Sequence, residues 1–298
     1  MPELKTLSQV AMNLAVARTD TKERPLDNAR LDCLIDSVED TFKRLDAAIS
    51  DAAISDLAIS DSDRQVAPAT THPVLSVIIP VYNEEQTITR VIDKVLALPI
   101  QLEVIVVNDG SSDGTWDSLQ SFAKPSSVRC FTHDVNQGKG AALRTGIARA
   151  SGDIVIIQDA DLEYDPSNIA TLIQPLLDGV TDVVYGSRYL SHAQQDPSRI
   201  HRFGNWLLTA FSNMMSQQSL TDMETCYKAF RRELIQSIQI EENRFGFEPE
   251  ITAKLGKCGA HIIEMPVTYH ARGWHEGKKI GWRDLVRTLY CIIKYNLR

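Results

Sequence analysis

Residues Ile154-Val-Ile-Ile-Gln-Asp-Ala-Asp-Leu-Glu163 join an apolar run directly to a group of acidic side chains. The first four residues are branched and apolar, which is typical of a strand buried on both faces in a parallel sheet. Asp159, Asp161 and Glu163 follow at intervals of two, where that strand is expected to end. Carboxylate oxygens gathered at a strand end suit Mg²⁺ or Mn²⁺, and such ions commonly bridge to substrate phosphates. The alternative is a solvated acidic turn that caps the next helix.

Strands and helices alternate around this stretch, from about Val74 onward. This alternation predicts an α/β domain with a mostly parallel sheet flanked by helices. In such sheets ligands bind beyond the carboxyl ends of the strands, so the residues after each strand are site candidates. The predicted strands are Leu75–Ile79, Glu103–Val107, Val128–Thr132, Ile154–Ile157 and Asp182–Tyr185, and the predicted helices are Glu85–Leu98, Thr115–Ala123, Lys139–Ala150 and Ser167–Leu177.

The segments after the first three strands carry polar and turn-forming residues. Asn83 is placed to cap the first helix, where free backbone N–H groups are available. Asp109, in a turn with two glycines, is placed to accept hydrogen bonds from a ribose or a base. Lys139 follows Gly138 at the positive end of a helix, which suits an anion. Ordinary turn chemistry with helix caps is the alternative for all three segments.

Charge is distributed unevenly along the 298 residues, whose net charge is −8. Residues 1–73 carry eight basic and thirteen acidic side chains, whereas residues 269–298 carry seven basic and two acidic ones. The acidic balance excludes a general nucleic-acid binder. Five scattered cysteines without a C-x-x-C pair indicate reduced thiols. We find no signal-peptide core and no apolar window of 18 residues, so a cytoplasmic protein is expected.

The motifs at the strand ends occur together and in a fixed order. They are Ile79-Pro-Val-Tyr-Asn-Glu84, Val107-Asn-Asp-Gly-Ser-Ser-Asp-Gly-Thr115, Asn136-Gln-Gly-Lys-Gly140 and Asp159-Ala-Asp161. This ordered set resembles the family 2 glycosyltransferases, which have the Rossmann-like nucleotide-diphospho-sugar transferase fold. The likeness runs from about Leu75 to about Tyr295, and within the family the chain looks most like the polyprenyl-phosphate mannose or glucose synthases.

The resemblance implies three regions along the chain. Residues 1–73 form an acidic extension, with a helical stretch followed by a five-residue repeat that begins at Asp46. Residues 74–268 form the catalytic domain. Residues 269–298 form a basic loop and an amphipathic helix with Trp282 at its start. Such a helix either lies in a membrane interface or packs on the domain.

The resemblance also assigns roles to residues by position. A divalent ion, Mg²⁺ or Mn²⁺, is implied on Asp159 and Asp161, with Glu163 as a third ligand at a position where these synthases often have Gln. The residues implied in nucleotide-sugar binding are Pro80, Tyr82, Asn83, Glu84, Asp109, Gly138, Lys139, Asp159 and Ala160.

A second implied set lies further along the chain and meets phosphate groups and the acceptor. Arg188 and Arg202 match phosphate-binding positions, and a guanidinium suits phosphate because its donors form a fixed fork. Asp222, Glu224 and Glu250 are the candidate bases for an acceptor hydroxyl. The implied catalytic residues are Asp161, Arg188, Arg202, Asp222 and Glu250. The alternatives are surface ion pairs for the arginines and, around Glu250, a loop that packs its phenylalanines into the core.

The predicted function is the transfer of a hexose from a nucleotide sugar, UDP-glucose rather than GDP-mannose, to a polyprenyl phosphate. The reaction is expected at the cytoplasmic membrane face, with inversion of the anomeric centre. The alternative is a soluble glycosyltransferase that acts on a hydroxyl of a glycan, small molecule or protein. A third hypothesis is a noncatalytic scaffold that binds sugar nucleotides.

Overall fold

The structure is a computed structural model, and it describes residues 75–122, 127–190, 199–271 and 282–298. Within these ranges the side chains of residues 199–200 and 282–284 are not described. The predicted extension 1–73 and most of the predicted basic loop therefore lie outside the described residues.

A seven-stranded sheet forms the centre of the domain. Its strands are β1 (Leu75–Val81), β2 (Leu102–Asn108), β3 (Val128–Thr132), β4 (Ile154–Ile157), β5 (Val183–Ser187), β6 (Lys228–Arg231) and β7 (Ile262–Pro266). The order across the sheet is β3-β2-β1-β4-β6-β5-β7. Only β6 is antiparallel to its neighbours, β4 and β5, and the other pairs are parallel. The prediction of a mostly parallel sheet is confirmed.

Helices connect most of these strands. They are α1 (Ile88–Leu96), α2 (Thr115–Gln120), α3 (Lys139–Ile147), α4 (Ile169–Leu172), α5 (Gln174–Leu177), α6 (Arg199–Ser216), α7 (Arg232–Ser237), α8 (Phe247–Lys257) and α9 (Trp282–Leu297), with a 3₁₀ turn at Pro166–Asn168 before α4. No helix in the part of the chain that the structure describes is long and apolar enough to cross a membrane.

The core lies on both faces of the central strands. All residues of β1 and β4 are buried, as are the last five of β2. The helix α1 buries Ile88, Val91, Ile92 and Val95 on one side, at the spacing of an amphipathic helix. The chain builds β2 and β3 on one side of β1 and then crosses to β4 on the other. The strand order therefore reverses between β1 and β4, which is where open α/β sheets bind their ligands.

Two local predictions differ from the structure. The predicted helix Ser167–Leu177 is divided into a 3₁₀ turn and the short helices α4 and α5. Pro175 lies at the start of α5 and has no N–H to donate to the preceding turn, so it favours a break there. The other difference is that β6 and β7 were not predicted.

Candidate active site

The loops after β1 and β2 are joined by hydrogen bonds. The Asn83 N–H donates to Ser111 Oγ at 3.0 Å, and the Glu84 N–H donates to Thr115 Oγ1 at 2.9 Å. Asn83 adopts a positive φ of 54°, which Asn tolerates better than most residues. Tyr82, which precedes this turn, keeps 48% of its surface exposed. The two loops therefore form one unit with an exposed aromatic ring.

Asp109 is the hydrogen-bond centre of the loop between β3 and α3. Its carboxylate accepts bonds from the N–H groups of Gly138 at 2.6 Å and Gln137 at 3.0 Å. It also accepts from Asn136 Nδ2 at 2.9 Å and lies 2.7 Å from His133 Nδ1. With 3% of its surface exposed, Asp109 holds this loop in place. In the structure the Asp109 carboxylate holds the 136–138 loop. Its predicted contact with a ribose or a base stays a prediction.

The loop held by Asp109 ends at Gly138, whose φ is 108°. A Cβ there would also collide with Asn243 O and would lie 2.6 Å from Arg244 Cγ. Only glycine fits both the conformation and the space. The loop therefore passes close under the 243–244 segment and directs Lys139 into the sheet edge.

Lys139 connects β4 to α8 through two ion pairs. Its Nζ lies 2.9 Å from Asp159 Oδ1 and 3.3 Å from Glu248 Oε1. Burial opposes the charge on Lys139, but Asp159 in particular raises its pKa well above the ordinary value. Burial raises the pKa of Asp159, whereas Lys139 and the thiol of Cys226 lower it, and the net direction is down. Both groups are therefore charged at neutral pH.

The other two acidic residues of the 159–163 stretch are arranged by a tight turn. Asp161 Oδ1 accepts the N–H of Glu163 at 3.1 Å, and Leu162 between them has a φ of 62°. Glu163 is 7% exposed, and its Oε2 accepts the Tyr269 hydroxyl at 2.9 Å. Among the described residues, no set of three His, Cys, Asp or Glu side chains is gathered closely enough to hold a metal ion.

Arg188 and Asp222 form a bidentate pair at the carboxyl end of β5. Arg188 Nε and Nη2 each lie 2.7 Å from a different oxygen of Asp222, and the Arg188 N–H donates to Asp222 Oδ2 at 3.1 Å. Asp222 is fully buried. The prediction that Asp222 is a base for the acceptor needs correction, because both of its oxygens are committed to Arg188.

The helix α6 contributes to the same corner of the site. Asn205 Oδ1 lies 3.5 Å from Arg188 Nη2, and Asn205 Nδ2 is buried without a hydrogen-bond partner among the described residues. Arg202 precedes Asn205 by almost one turn, and it is exposed. The structure thus brings Asn205 to Arg188 and places Arg202 on the exposed side of α6.

The predicted site residue Glu250 lies inside the protein. It is fully buried in α8, accepts the N–H groups of Glu241 and Glu242 at 2.7 and 2.8 Å, and pairs with Lys254 at 2.6 Å. The prediction that it faces the sugar needs correction, because its carboxylate holds the preceding loop. Glu248 contacts Lys139 instead. Residues two apart on a helix point about 200° apart, so the two glutamates face different ways in α8, a helix where a loop was predicted.

Sequence reasoning missed two further groups at this site. Cys226 is 5% exposed, and its thiol donates to Asp159. Lys228 is fully buried in β6, where its Nζ donates to the carbonyl of Met223 at 2.9 Å and also to that of Thr225. A buried lysine inside a short strand has no local sequence signal, because its partners come from the preceding loop.

The predicted residues separate into groups. Those that follow the carboxyl ends of β1, β3, β4 and β5 are Tyr82, Asn83, Glu84, Gly138, Lys139, Asp159, Asp161, Glu163 and Arg188. Pro80 and Ala160 are buried at the ends of β1 and β4. Asp109 and Asp222 hold other site residues, Arg202 is exposed on α6, and Glu250 lies in the core.

Comparison with known proteins places this fold and site in a family. A family model described as glycosyl transferase family 2 matches residues 76–239. The dolichol-phosphate mannosyltransferase of Pyrococcus furiosus is 27% identical over 231 residues, which cover 74% of this chain and 64% of that protein. The dodecaprenyl-phosphate galacturonate synthase of Rhizobium johnstonii is 27% identical over 66% of this chain and 59% of that protein. The chain thus spans about three fifths of these two relatives.

A solved structure shares the fold. Glucosyl-3-phosphoglycerate synthase from Mycobacterium tuberculosis, in complex with Mn²⁺, UDP and phosphoglyceric acid, superposes with a TM-score of 0.57 at 22% identity. The match covers 75% of this chain and 78% of that one. At this identity the likeness supports the fold only. The family model, in contrast, matches more than half of the 298 residues. The chain therefore belongs to glycosyl transferase family 2.

Proposed function

We propose that this chain transfers a hexose from a nucleoside diphosphate sugar to a polyprenyl phosphate. The ion pair between Lys139 and Asp159 carries the proposal. It joins a cation at the start of α3 to a carboxylate at the end of β4, at the reversal of strand order. A diphosphate is bound best where positive charge and free N–H groups face a carboxylate that can hold a divalent ion.

A divalent ion fits this site together with the donor. Asp159 and Asp161 are hard oxygen ligands that follow a buried strand, and Mg²⁺ usually takes one or two protein carboxylates and completes its shell with water and substrate phosphates. Glu163 is the third candidate ligand. When bound, Mg²⁺ or Mn²⁺ would stabilise the charge that develops on the leaving diphosphate.

The proposed reaction is a single displacement at the anomeric carbon. An acceptor oxygen forms a bond to that carbon while the bond to the diphosphate oxygen breaks, and the nucleoside diphosphate leaves with the electron pair. A phosphate monoester has a second pKa of about 6, so it is largely dianionic at pH 7 and needs no base. This displacement inverts the anomeric configuration, and a product that retains it would contradict the mechanism.

Arg188 is the residue that we assign to the acceptor phosphate. Its guanidinium is fixed by Asp222, and its side chain keeps 15% of its surface exposed. A guanidinium held in one orientation binds phosphate oxygens without losing further side-chain freedom. Arg202, exposed on α6, is a second phosphate contact in this proposal.

The acceptor proposal is supported by the names of the relatives and by the outer face of α9. Both relatives act, by name, on a polyprenyl phosphate or dolichol phosphate. On α9, Val286, Tyr290, Ile293 and Leu297 are between 43% and 74% exposed and recur at intervals of four and three. Such an apolar stripe on a helix suits the interface of a membrane. We therefore propose peripheral contact with the membrane that contains the acceptor.

UDP-glucose is the favoured donor in this proposal, ahead of GDP-mannose. The support is the resemblance of the 136–144 run to glucose-type synthases. The relatives are named for mannose and galacturonate, so the donor requires direct measurement.

A second candidate function is transfer to a hydroxyl, which needs a base to remove its proton. One observation favours it: Glu248 Oε2 is buried without a hydrogen-bond partner among the described residues, beside Lys139. Asp222 and Glu250 are committed elsewhere, so Glu248 and Glu224 are the carboxylates left for this role.

The test combines two donors with two acceptor classes. UDP-glucose and GDP-mannose are supplied with Mn²⁺ or Mg²⁺, and each is offered undecaprenyl phosphate in detergent or simple sugars. We expect nucleoside diphosphate release and a glycolipid, detected by mass spectrometry, with the lipid acceptor only. Asp161→Asn should lower kcat/KM about 100-fold or more, whereas Asp117→Asn on the exposed face of α2 should not. Products from sugars alone would favour the second candidate, and no release with any donor would contradict both.

A further inference from the structure

Two glutamates from different elements each keep a buried carboxyl oxygen without a hydrogen-bond partner among the described residues, and one of them, Glu248, pairs with Lys139. Glu248 lies in the first turn of α8 and is 5% exposed, and Glu224 lies in the segment before β6. In the described chain, Glu248 Oε2 and Glu224 Oε1 are both buried without a hydrogen-bond partner. Burial and then the charge of Glu248 raise the pKa of Glu224 to about 8. The two carboxyl groups are therefore close enough to influence each other.

The surroundings position Glu224. The buried ammonium of Lys228 donates to the carbonyls of Met223 and Thr225, which flank Glu224, and it lies 4.4 Å from the ring of Tyr185. Burial lowers the pKa of Lys228 to about 8, against the opposing effect of Glu248, Glu224 and Asp222. Lys228 thus fixes the backbone that carries Glu224.

The remaining charges around Glu224 come from the carboxyl end of β5 and the loop after α6. Arg188 lowers the pKa of Glu224 and Asp222 raises it, and these two groups are paired with each other. Glu224 is therefore under the influence of the Arg188–Asp222 pair, whereas Glu248 pairs with Lys139.

Buried acceptor oxygens without partners indicate a ligand that donates hydrogen bonds. A buried polar atom is normally paired, and an exception calls for an unplaced partner. Here there are two such oxygens, and Glu248, which carries one of them, pairs with Lys139, whose other ion-pair partner is Asp159. A hexose suits this place chemically, because each of its hydroxyls both donates and accepts. It would also extend from a diphosphate anchored at Lys139 and Asp159.

We propose that Glu224 and Glu248 bind hydroxyls of the donor hexose and thereby select a neutral hexose against a hexuronate. This inference rests on the proposed nucleotide-sugar site and adds the class of sugar that it accepts. At neutral pH Glu224 is largely protonated, so a hexuronate would bring its carboxylate to that of Glu248, and like charges brought together out of water repel strongly. A neutral hexose meets the same oxygens as a hydrogen-bond donor.

The test is a set of binding measurements by isothermal titration calorimetry with Mg²⁺ present. The ligands are UDP, UDP-glucose and UDP-glucuronate, with GDP, GDP-mannose and GDP-mannuronate as a parallel series. We expect the wild-type protein to bind the hexose donor about tenfold or more tightly than the hexuronate donor in the series that binds, which corresponds to about one like-charge contact. In Glu248→Gln this ratio should fall about tenfold; because the ratio compares two donors with the same nucleoside diphosphate, a changed charge at Lys139 affects both alike.

Two variants complete the design. Glu224→Gln should keep the affinity for the neutral hexose donor within about threefold, since an amide both donates and accepts as a carboxylic acid does. Glu233→Gln, an exposed glutamate on α7, is the matched control and should change nothing. The thermal unfolding of each variant is recorded to confirm folding. If Glu248→Gln does not fold, the hexose-to-hexuronate ratio of the wild type decides.

The outcomes separate the two proposals. One result overturns this inference and leaves the proposed function intact: the nucleoside diphosphate binds, but the hexose-to-hexuronate affinity ratio is near one. The same conclusion follows if this ratio is equal in the wild type and both glutamate variants, because the glutamate pair then does not select the sugar. If neither UDP nor GDP binds, the proposed nucleotide-sugar function fails and this inference fails with it.

Discussion

Asp222→Asn distinguishes a positioning role for this residue from the predicted role as a base. The substitution removes the charge opposite Arg188 and leaves a buried guanidinium without its bidentate partner. Breaking a buried ion pair by removing one partner costs about 3–5 kcal/mol, and we take about 3 kcal/mol because Asn retains one acceptor oxygen. For a domain of this size, about 2–4 °C is lost per kcal/mol, so the melting temperature should fall by about 6–12 °C.

The assay is thermal and urea unfolding of the wild type, Asp222→Asn and the exposed control Asp117→Asn. Glycosyl transfer is measured with each protein at a temperature where it is folded. A positioning role predicts this loss of stability together with a higher KM for the acceptor, because Arg188 loses the orientation in which it binds the acceptor phosphate. An unchanged melting temperature with abolished transfer would refute the reasoning and restore Asp222 as a base.

Three further predictions concern the loop, the glutamate pair and the last helix. Gly138→Ala should raise the Kd for the nucleoside diphosphate about tenfold or more, because a Cβ at a φ of 108° collides with Asn243 O. The Kd is measured by calorimetric titration, and an unchanged Kd would show that the loop is not part of the site. Because the pKa of Glu224 is raised to about 8 in the folded protein, the folded state binds the extra proton between about pH 5 and pH 8. The unfolding free energy of the wild type should therefore fall relative to that of Glu224→Gln as the pH rises through that window. The same pH dependence in both proteins, measured by urea unfolding, would contradict this. The double variant Tyr290→Ser, Ile293→Ser should reduce cosedimentation with anionic lipid vesicles while leaving nucleotide affinity unchanged; equal cosedimentation would exclude this face of α9 as the membrane contact.

The packing of α9 was predicted only in part by its sequence pattern. The sequence predicts one amphipathic helix here, with Trp282 at its start. In the structure Leu285 and Leu289 are partly buried, whereas Val286 and Ile293 are exposed. The buried side is completed by less obvious residues, and Arg287, Lys294 and Tyr295 all bond to Glu242. Both predicted fates of the helix, packing on the domain and an outward apolar face, are therefore compatible with one helix.

The central strands could be predicted because their signals are local. A continuous apolar run bounded by a proline, a glycine turn or acidic residues identifies a buried parallel strand without knowledge of its neighbours. This is why β1, β2 and β4 were placed to within two residues. β6 and β7 are short and mixed in composition, and they exist because their partners β4 and β5 are already in place. Pairing between distant segments leaves little trace in either segment alone.

The sequence by itself determined the α/β class, the family resemblance and the acidic stretch at 159–163, because all three depend on residue types at short, fixed spacing. Only the tertiary structure decided what each carboxylate faces. Asp109 and Asp222 hold other site residues, Glu250 lies in the core, and Glu248 reaches Lys139. The residue type, Asp or Glu, is the same in all of these places, so the role of each carboxylate depends on the groups that folding brings to it.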